Sequence, residues 1–273
     1  WNAPDPEAAV GTSTTGSSEA CMLGGMVLCW HWRQRRTAQG LDDRRPNLVM
    51  GTNTQICWDK FCAYFDVEAR MVPISREHLQ MTAAGAAAAC DENTIGVVGV
   101  LGSTFDGSYE PIEAIQKELD QLQERTGLDI PIHVDGASGA FVAPFNSPDL
   151  LWDFRLPRVK SINTSGHKYG GVLPGVGWVL WHDQADLPEE LRGAAAQGSE
   201  ALDAGIGLLS TLGGPGAKPL ADIAGAVKGG LDEVLEAEGG GSAAADAAEL
   251  AAELAGWMRA GARAHQALSG AGG

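Results

Sequence analysis

The feature that most constrains this chain is a repeated change of period between residues 94 and 135. "TIGVVGVLG" is a short, β-branched run without helical spacing, and it reads as a buried parallel strand. "PIEAIQKELDQLQERTG" then sets Ile112, Ile115, Leu119 and Leu122 at helical spacing, with Gly127 as a natural stop. "DIPIHVDGA" returns to a strand. Upstream, "GSSEACMLGGMVLCWHWRQRR" and "TQICWDKFCAYF" read as helices, and "NLVMG" and "EARMVPI" as strands. Downstream, "SINTSG" and "GVGWVLWH" supply two more strands. Alternation of this kind with short links predicts an α/β fold: a mostly parallel sheet flanked by helices.

The alternation stops near residue 191, which predicts two regions, 1–191 and 192–273. The second is rich in Ala and Gly and offers little aromatic or β-branched material for a core, so a helical or disordered tail is expected. Within it, Ala243 to Leu268 suits a helix with Leu250, Leu254, Trp257 and Met258 near one face, and Gly239–Gly241 reads as a linker.

The balance of charge narrows the partners. A net charge of -16 argues against nucleic acid and anionic membranes, which both call for basic surface. No apolar run approaches the ~20 residues of a membrane span. The opening "WNAPDPEAAVGT" has neither a basic nor an apolar signal region, so no signal peptide is expected and a cytoplasmic location is. It also starts on Trp rather than Met, as a fragment or processed product would. The five cysteines, Cys21, Cys29, Cys57, Cys62 and Cys90, are odd in number and form no C-x-x-C pair. Reduced, buried thiols are expected, with no disulfide framework and no metal site.

In an open α/β sheet, ligands bind at the carboxyl ends of the strands. The polar residues that directly follow predicted strands are Thr104, Asp135, and the group Ser165, His167 and Lys168. "TGSSE" opens a helix, and Ser17 and Ser18 there suit either a helix cap or a phosphate held on free N–H groups. Asp135, at the end of an apolar strand, suits a loop cap or an anion that keeps a cofactor's pyridine nitrogen protonated. Lys168 alone reads as a solvated charge. Its chemical reading is a Schiff base with the aldehyde of pyridoxal phosphate, favoured by burial beside cationic groups. An Asp after one strand and a Ser-x-His-Lys after the next is far more specific than either alone.

The stretches "GTSTTGSSEACMLGGM", "CDENTIGVVGVLGSTFDGSYE", "IHVDGASGAFVAPF" and "PDLLWDFRLPRVKSINTSGHKYG" resemble the pyridoxal-phosphate-dependent group II decarboxylases. The likeness is densest to the bacterial and plant glutamate decarboxylases, and it runs from about Trp1 to Leu191. It implies the large domain of fold-type I pyridoxal-phosphate enzymes, a homo-oligomeric assembly, and decarboxylation of L-glutamate to 4-aminobutanoate and CO2. It implies Lys168 as the Schiff-base lysine, with His167 beside the phosphate. Ser17, Ser18 and Ser165 would contact the phosphate. Asp135 would pair with the pyridine nitrogen, with Ala137 against the ring, Thr104 on the cofactor and Gln55 stacked over it. Gln55 fits the bacterial and plant branch, since animal relatives usually carry His there. The family's segment ahead of "GTSTTGSSE" and its small C-terminal domain have no counterpart in the sequence. No motif supplies the arginine for the substrate carboxylate, Arg259 and Arg263 included. These departures leave a second expectation open, a non-catalytic remnant that holds cofactor weakly or serves assembly. "WMRAGARAHQAL" sits in an acidic tail, which disfavours a calmodulin-binding helix.

Overall fold

The computed structural model describes residues 1–3, 5 and 9–187. The chain divides into Trp1–Leu187 and Pro188–Gly273, and the fold described is that of the first unit. The helix and linker expected between residues 239 and 268 lie outside the described residues.

Seven strands form one sheet in the order β1-β7-β6-β5-β4-β2-β3. They are β1 (Val10–Thr14), β2 (Asn47–Gly51), β3 (Glu68–Val72), β4 (Thr94–Val100), β5 (Ile132–Asp135), β6 (Val159–Ser165) and β7 (Gly177–Trp181). The run β6-β5-β4-β2-β3 is parallel throughout, and β7 and β1 pair antiparallel at one edge. The helices are α1 (Ser17–Ala38), α2 (Cys57–Phe65), α3 (Ala83–Ala88), α4 (Ile112–Thr126), α5 (Ala143–Asn146) and α6 (Gly166–Tyr169).

Two apolar layers sandwich the sheet. On one face, α1 and α2 bring Cys21, Leu28, Trp32, Trp58 and Phe61 against Leu48, Met50, Ile95 and Val98. On the other, α3 and α4 bring Ala86, Ile112, Ile115 and Leu119 against Val49, Val97, Ile132 and Ile162. Cover on both faces is what lets the central strands be continuously apolar. The register of β2 against β4 shifts between Asn47 and Leu48, and this bulge puts Ile95 on the same face as Val98. Two strand glycines set how closely the helices approach. A Cβ on Gly96 would come within 2.9 Å of Leu28 Cδ1 of α1, and one on Gly99 would collide with Ile112 Cδ1 of α4.

Helix α4 follows its sequence pattern. Ile112, Ile115, Leu119 and Leu122 are its buried residues, and Gly127 ends it at φ 78°. At the amino end of β6, buried Arg158 bonds Asp120, Asp129, Gln123 and the Ile130 carbonyl, tying α4 to the sheet. Four of these elements had no forecast: the edge strand β1, the alanine-rich α3 and the short α5 and α6. The five cysteines are free thiols, four of them buried. Burial pushes Cys62 and Cys90 up to about 12. No helix among the described residues is long and apolar enough to cross a membrane.

Candidate active site

The carboxyl ends of β4, β5 and β6 and the amino end of α1 carry the site. Asp135 closes β5 and is 4% exposed. Its Oδ1 accepts from the Ala137 N–H at 3.1 Å and from the Asn163 amide at 3.3 Å. Its Oδ2 accepts from the Trp58 indole N–H at 2.9 Å and faces the Cys21 thiol at 3.7 Å. All four of these groups are neutral donors. An ionised buried carboxylate so held is hydrogen-bonded but has no counter-charge among them. The donor atoms of Cys21, Cys57 and Asp135 lie within 4.8 Å of one another, a spacing that would suit a thiophilic metal. Burial raises the Cys21 thiol well above its ordinary range, so it stands there as an S–H donor rather than a thiolate ligand.

The backbone ties this floor to the next strand. The Ser165 N–H donates to the Ala137 carbonyl at 3.2 Å, so the ends of β5 and β6 are locked side by side. Ser165 is fully buried, and its hydroxyl has no hydrogen-bond partner among the described residues. Immediately after it, the single turn α6 carries His167 and Lys168, both exposed. Lys168 Nζ reaches Ser138 Oγ at 3.3 Å, across from the loop that follows Asp135. The burial expected to favour a neutral Lys168 amine is therefore not supplied by the described residues.

Helix α1 begins beside this pair of strands. Gly177 of β7 is paired with Ser165 on one side and Thr14 on the other. A Cβ on Gly177 would come within 2.7 Å of the Ser17 nitrogen. Gly16, at φ 139°, is the cap residue, and no side chain caps the helix. The capping reading of Ser17 and Ser18 is thereby overturned: a glycine occupies the cap position. Ser17 is half-buried and Ser18 exposed, on the first turn of a 22-residue helix. That end of α1 carries free N–H groups and the positive end of the dipole, the features that receive an anion.

Two expected residues stand further out. Gln55 is exposed, and its Oε1 accepts from the Cys57 N–H at 2.6 Å just ahead of α2. Thr104 is exposed on the loop after β4. That loop lies against the β5 loop, where a Cβ on Gly102 would be 3.1 Å from Ser138 Cβ. A cavity of about 490 Å³ opens elsewhere, between residues 77–83 and Ser108, Pro111 and Ala114, and none of the candidate residues lines it.

Sequence reasoning missed His133, Asn163, Ser161, Trp58 and Cys21, which surround Asp135 from behind. The signal was present in the strands. "IHVD" and "SINTS" set polar side chains at alternate positions, so His133 and Asp135 share a face, as do Ser161, Asn163 and Ser165. Glu110 was missed as well. It is buried, accepts from the N–H groups of Val100 at 2.7 Å and Met81 at 3.2 Å, and burial raises it to about 7.

Comparison with known proteins converges on one family. A family model described as the pyridoxal-dependent decarboxylase conserved domain matches residues 1–196. The chain is 56% identical over 191 residues to a glutamate decarboxylase of Aliivibrio fischeri, covering 70% of this chain and 41% of that protein. It is 52% identical over 193 residues to glutamate decarboxylase beta of Listeria monocytogenes, covering 70% of this chain and 42% of that one. The solved glutamate decarboxylase of Lactobacillus brevis superposes with a TM-score of 0.68 at 47% identity, over 70% of this chain and 44% of that chain. The chain thus spans about two fifths of the length of the curated relatives it matches.

Proposed function

The chain belongs to the pyridoxal-dependent decarboxylase family, and on that premise we propose that it carries the cofactor site of a pyridoxal-phosphate-dependent glutamate decarboxylase. The observation that carries the reading is the adjacency of Asp135 and Lys168. A buried carboxylate held only by neutral donors ends one strand, and a lysine follows the end of its neighbour, across from Ser138. The identity with glutamate decarboxylases of two bacteria supports the choice of L-glutamate as substrate.

The residues fit pyridoxal phosphate on three points. The Asp135 carboxylate matches a protonated pyridine nitrogen, which is the cation its neutral donors leave wanting. The unpartnered Ser165 hydroxyl and the free amino end of α1 meet at the β6–β7 edge, where a phosphate's oxygens need donors. The close approach of Gly177 to Ser17 leaves that corner lined by backbone. Bound there, the cofactor supplies an electron sink for cleavage of the bond between Cα and the carboxylate.

The chain's own residues then have separable tasks. Asp135 holds the proton on the pyridine nitrogen. Ser17, Ser18, Ser165 and His167 fix the phosphate. Lys168 would supply the amine that anchors the cofactor and yields to the substrate amine. Ala137, whose N–H is committed to Asp135, would have its methyl group left for apolar contact with the ring. Gln55 and Thr104, exposed on the loops after β2 and β4, would turn toward the ring when it is bound.

The reading extends to assembly. Ile56, Phe105, Tyr169 and Leu173 are exposed at 59%, 77%, 65% and 81% on segments that follow β2, β4 and β6. Large apolar side chains gathered at one end of a sheet suit burial against another surface, and this supports a homo-oligomer. Light scattering that finds only a monomer would remove that part of the proposal.

The test of function is CO2 release from L-glutamate by the chain supplied with pyridoxal phosphate. Turnover that is lost in Lys168→Ala supports the enzyme. Retained cofactor without turnover in the parent would return the chain to the status of a cofactor-holding remnant.

A further inference from the structure

Behind Asp135 lies a row of polar side chains that reaches it through Asn163. Ser161 and Asn163 are alternate residues of β6, opposite His133 and Asp135 of β5. All four are at most 4% exposed. His133 Nδ1 lies 2.6 Å from Ser161 Oγ, and Nε2 lies 2.9 Å from Asn163 Oδ1.

The direction of each hydrogen bond follows from what each atom can do. Both Asp135 oxygens accept from the groups around them, and the Asn163 atom facing Oδ1 is the amide nitrogen. The Asn163 oxygen therefore points to His133, and an amide oxygen only accepts, so His133 Nε2 carries the proton. Burial lowers the affinity of His133 for a second proton, which leaves the ring neutral and Nδ1 bare. Nδ1 then accepts from the Ser161 hydroxyl. Every donor in the row points the same way, from Ser161 to His133 to Asn163 to Asp135.

We propose that Ser161, His133 and Asn163 form a one-way hydrogen-bond chain that positions the Asp135 carboxylate for the cationic nitrogen of the cofactor. This rests on the reading of Asp135 given above and names the residues that enforce it. The amide of Asn163 could otherwise turn over and present its oxygen to Asp135, repelling the carboxylate. The His133 N–H forbids that turn, and the Ser161 hydroxyl, free to donate, satisfies the bare Nδ1. The fold makes room for the ring at a specific place. Gly24 of α1 faces it, and a Cβ there would lie 2.5 Å from His133 Cε1. Trp58 packs edge-on to the same ring at 5.0 Å and donates to the other carboxylate oxygen. The groups around the carboxylate are thus Cys21 from α1, Cys57 and Trp58 from α2, His133 from its own strand and Asn163 from β6, with Glu110 acting from further off. Asp135 is the candidate catalytic group, and Ser161, His133 and Asn163 are positioning residues.

Nitrogen NMR of the histidine rings in the full, cofactor-free chain reads the core of the proposal without any reaction. His133 is expected as a single neutral tautomer, protonated at Nε2 and bare at Nδ1, and it is expected to stay so in Ser161→Ala, because the Asn163 oxygen still requires the Nε2 proton. A His133 protonated at Nδ1, or at both nitrogens, at neutral pH would overturn the chain. Retention of pyridoxal phosphate provides the second readout. His133→Gln keeps an N–H for Asn163 and should hold cofactor within about 3-fold of the parent, whereas His133→Leu should lose about 10-fold or more. Equal loss in the two variants would mean that His133 only fills space, and would overturn the positioning role. If the parent takes up no pyridoxal phosphate at all, the cofactor reading fails, while the tautomer of His133 still decides whether the one-way chain exists.

Discussion

The floor and the rim of the site are built in opposite ways. On the floor, Asp135, His133, Asn163, Ser161, Trp58 and Cys21 are buried and joined by hydrogen bonds from α1, α2, β5 and β6. On the rim, Lys168, His167, Ser18, Gln55 and Thr104 are exposed, and the recorded polar contact of Lys168 is the 3.3 Å approach to Ser138. The floor is thus part of the core, where packing density and polar satisfaction are both enforced. The rim consists of side chains whose removal leaves the core intact. A substitution on the floor should therefore disturb fold and function together, and one on the rim should disturb function alone.

The largest effect expected is on the rim. Lys168→Ala should abolish turnover of glutamate while leaving the melting temperature of the cofactor-free chain unchanged, as read by calorimetry. A large drop in melting temperature would erase the distinction between the two regions. Next comes Asp135→Asn on the floor. It keeps the shape but places an N–H where the carboxylate accepted, and turnover should fall on the order of 100-fold. Cofactor-free stability should fall too, because a buried amide then faces four donors. Loss of activity at unchanged stability would move Asp135 to the rim's category.

Glu110 probes the core beside the floor through pH. Its folded value of about 7 exceeds the unfolded 4.5, because burial disfavours the charged form. Its stabilising protonated state is fully present below pH 4.5 and is lost as pH rises through about 7. Stability should therefore fall by about 3 kcal/mol across that window from this group. Denaturant titrations of the parent and Glu110→Gln at several pH values isolate the effect, since the variant should lack that slope. Parallel pH profiles would refute the assignment.

Gly24→Ala tests how tightly the floor is packed. A helical Gly→Ala change ordinarily gains up to about 1 kcal/mol. Here the new methyl would meet the His133 ring at 2.5 Å, on a side chain bonded at both nitrogens. A net loss of about 2 kcal/mol is expected by chemical denaturation, and a net gain would show that the ring is free to move. The smallest effect belongs to Thr104→Ala on the rim, whose stability should stay within about 0.5 kcal/mol of the parent. Its affinity for pyridoxal phosphate should drop by less than about 10-fold by titration.

The division between floor and rim also marks what could be read from the sequence. β4 was legible as a continuous β-branched run and α4 as a clean period of 3.6, while β5 and β6 were short apolar runs between turn signals. β1 was not, because "VGTST" is an exposed edge strand with no apolar face to show. α3 was not, because "AAGAAA" fits a small gap rather than forming an amphipathic stripe. In the site, Asp135, Ser165 and Lys168 were legible as polar residues at strand ends, a position with a general physical meaning. The second row of the floor was harder. His133, Ser161 and Asn163 could have been found as polar residues recurring every second position in strands otherwise apolar. Cys21 and Trp58 could not, since both read as ordinary core residues. Their donation to Asp135 depends on the rotation of α1 and α2 against the sheet, which helical period alone does not set. The exposure of Lys168 was also hidden, because a His-Lys pair reads the same on either side of a surface.

The central claim, that this chain holds pyridoxal phosphate through Lys168 above the Asp135 floor, is most directly tested by reductive trapping. The chain is mixed with pyridoxal phosphate, treated with borohydride, digested and mapped by mass spectrometry. The account predicts that the cofactor's mass is found on the peptide containing Lys168 and is absent from Lys168→Ala. Modification spread over other lysines, or none at Lys168, would contradict it.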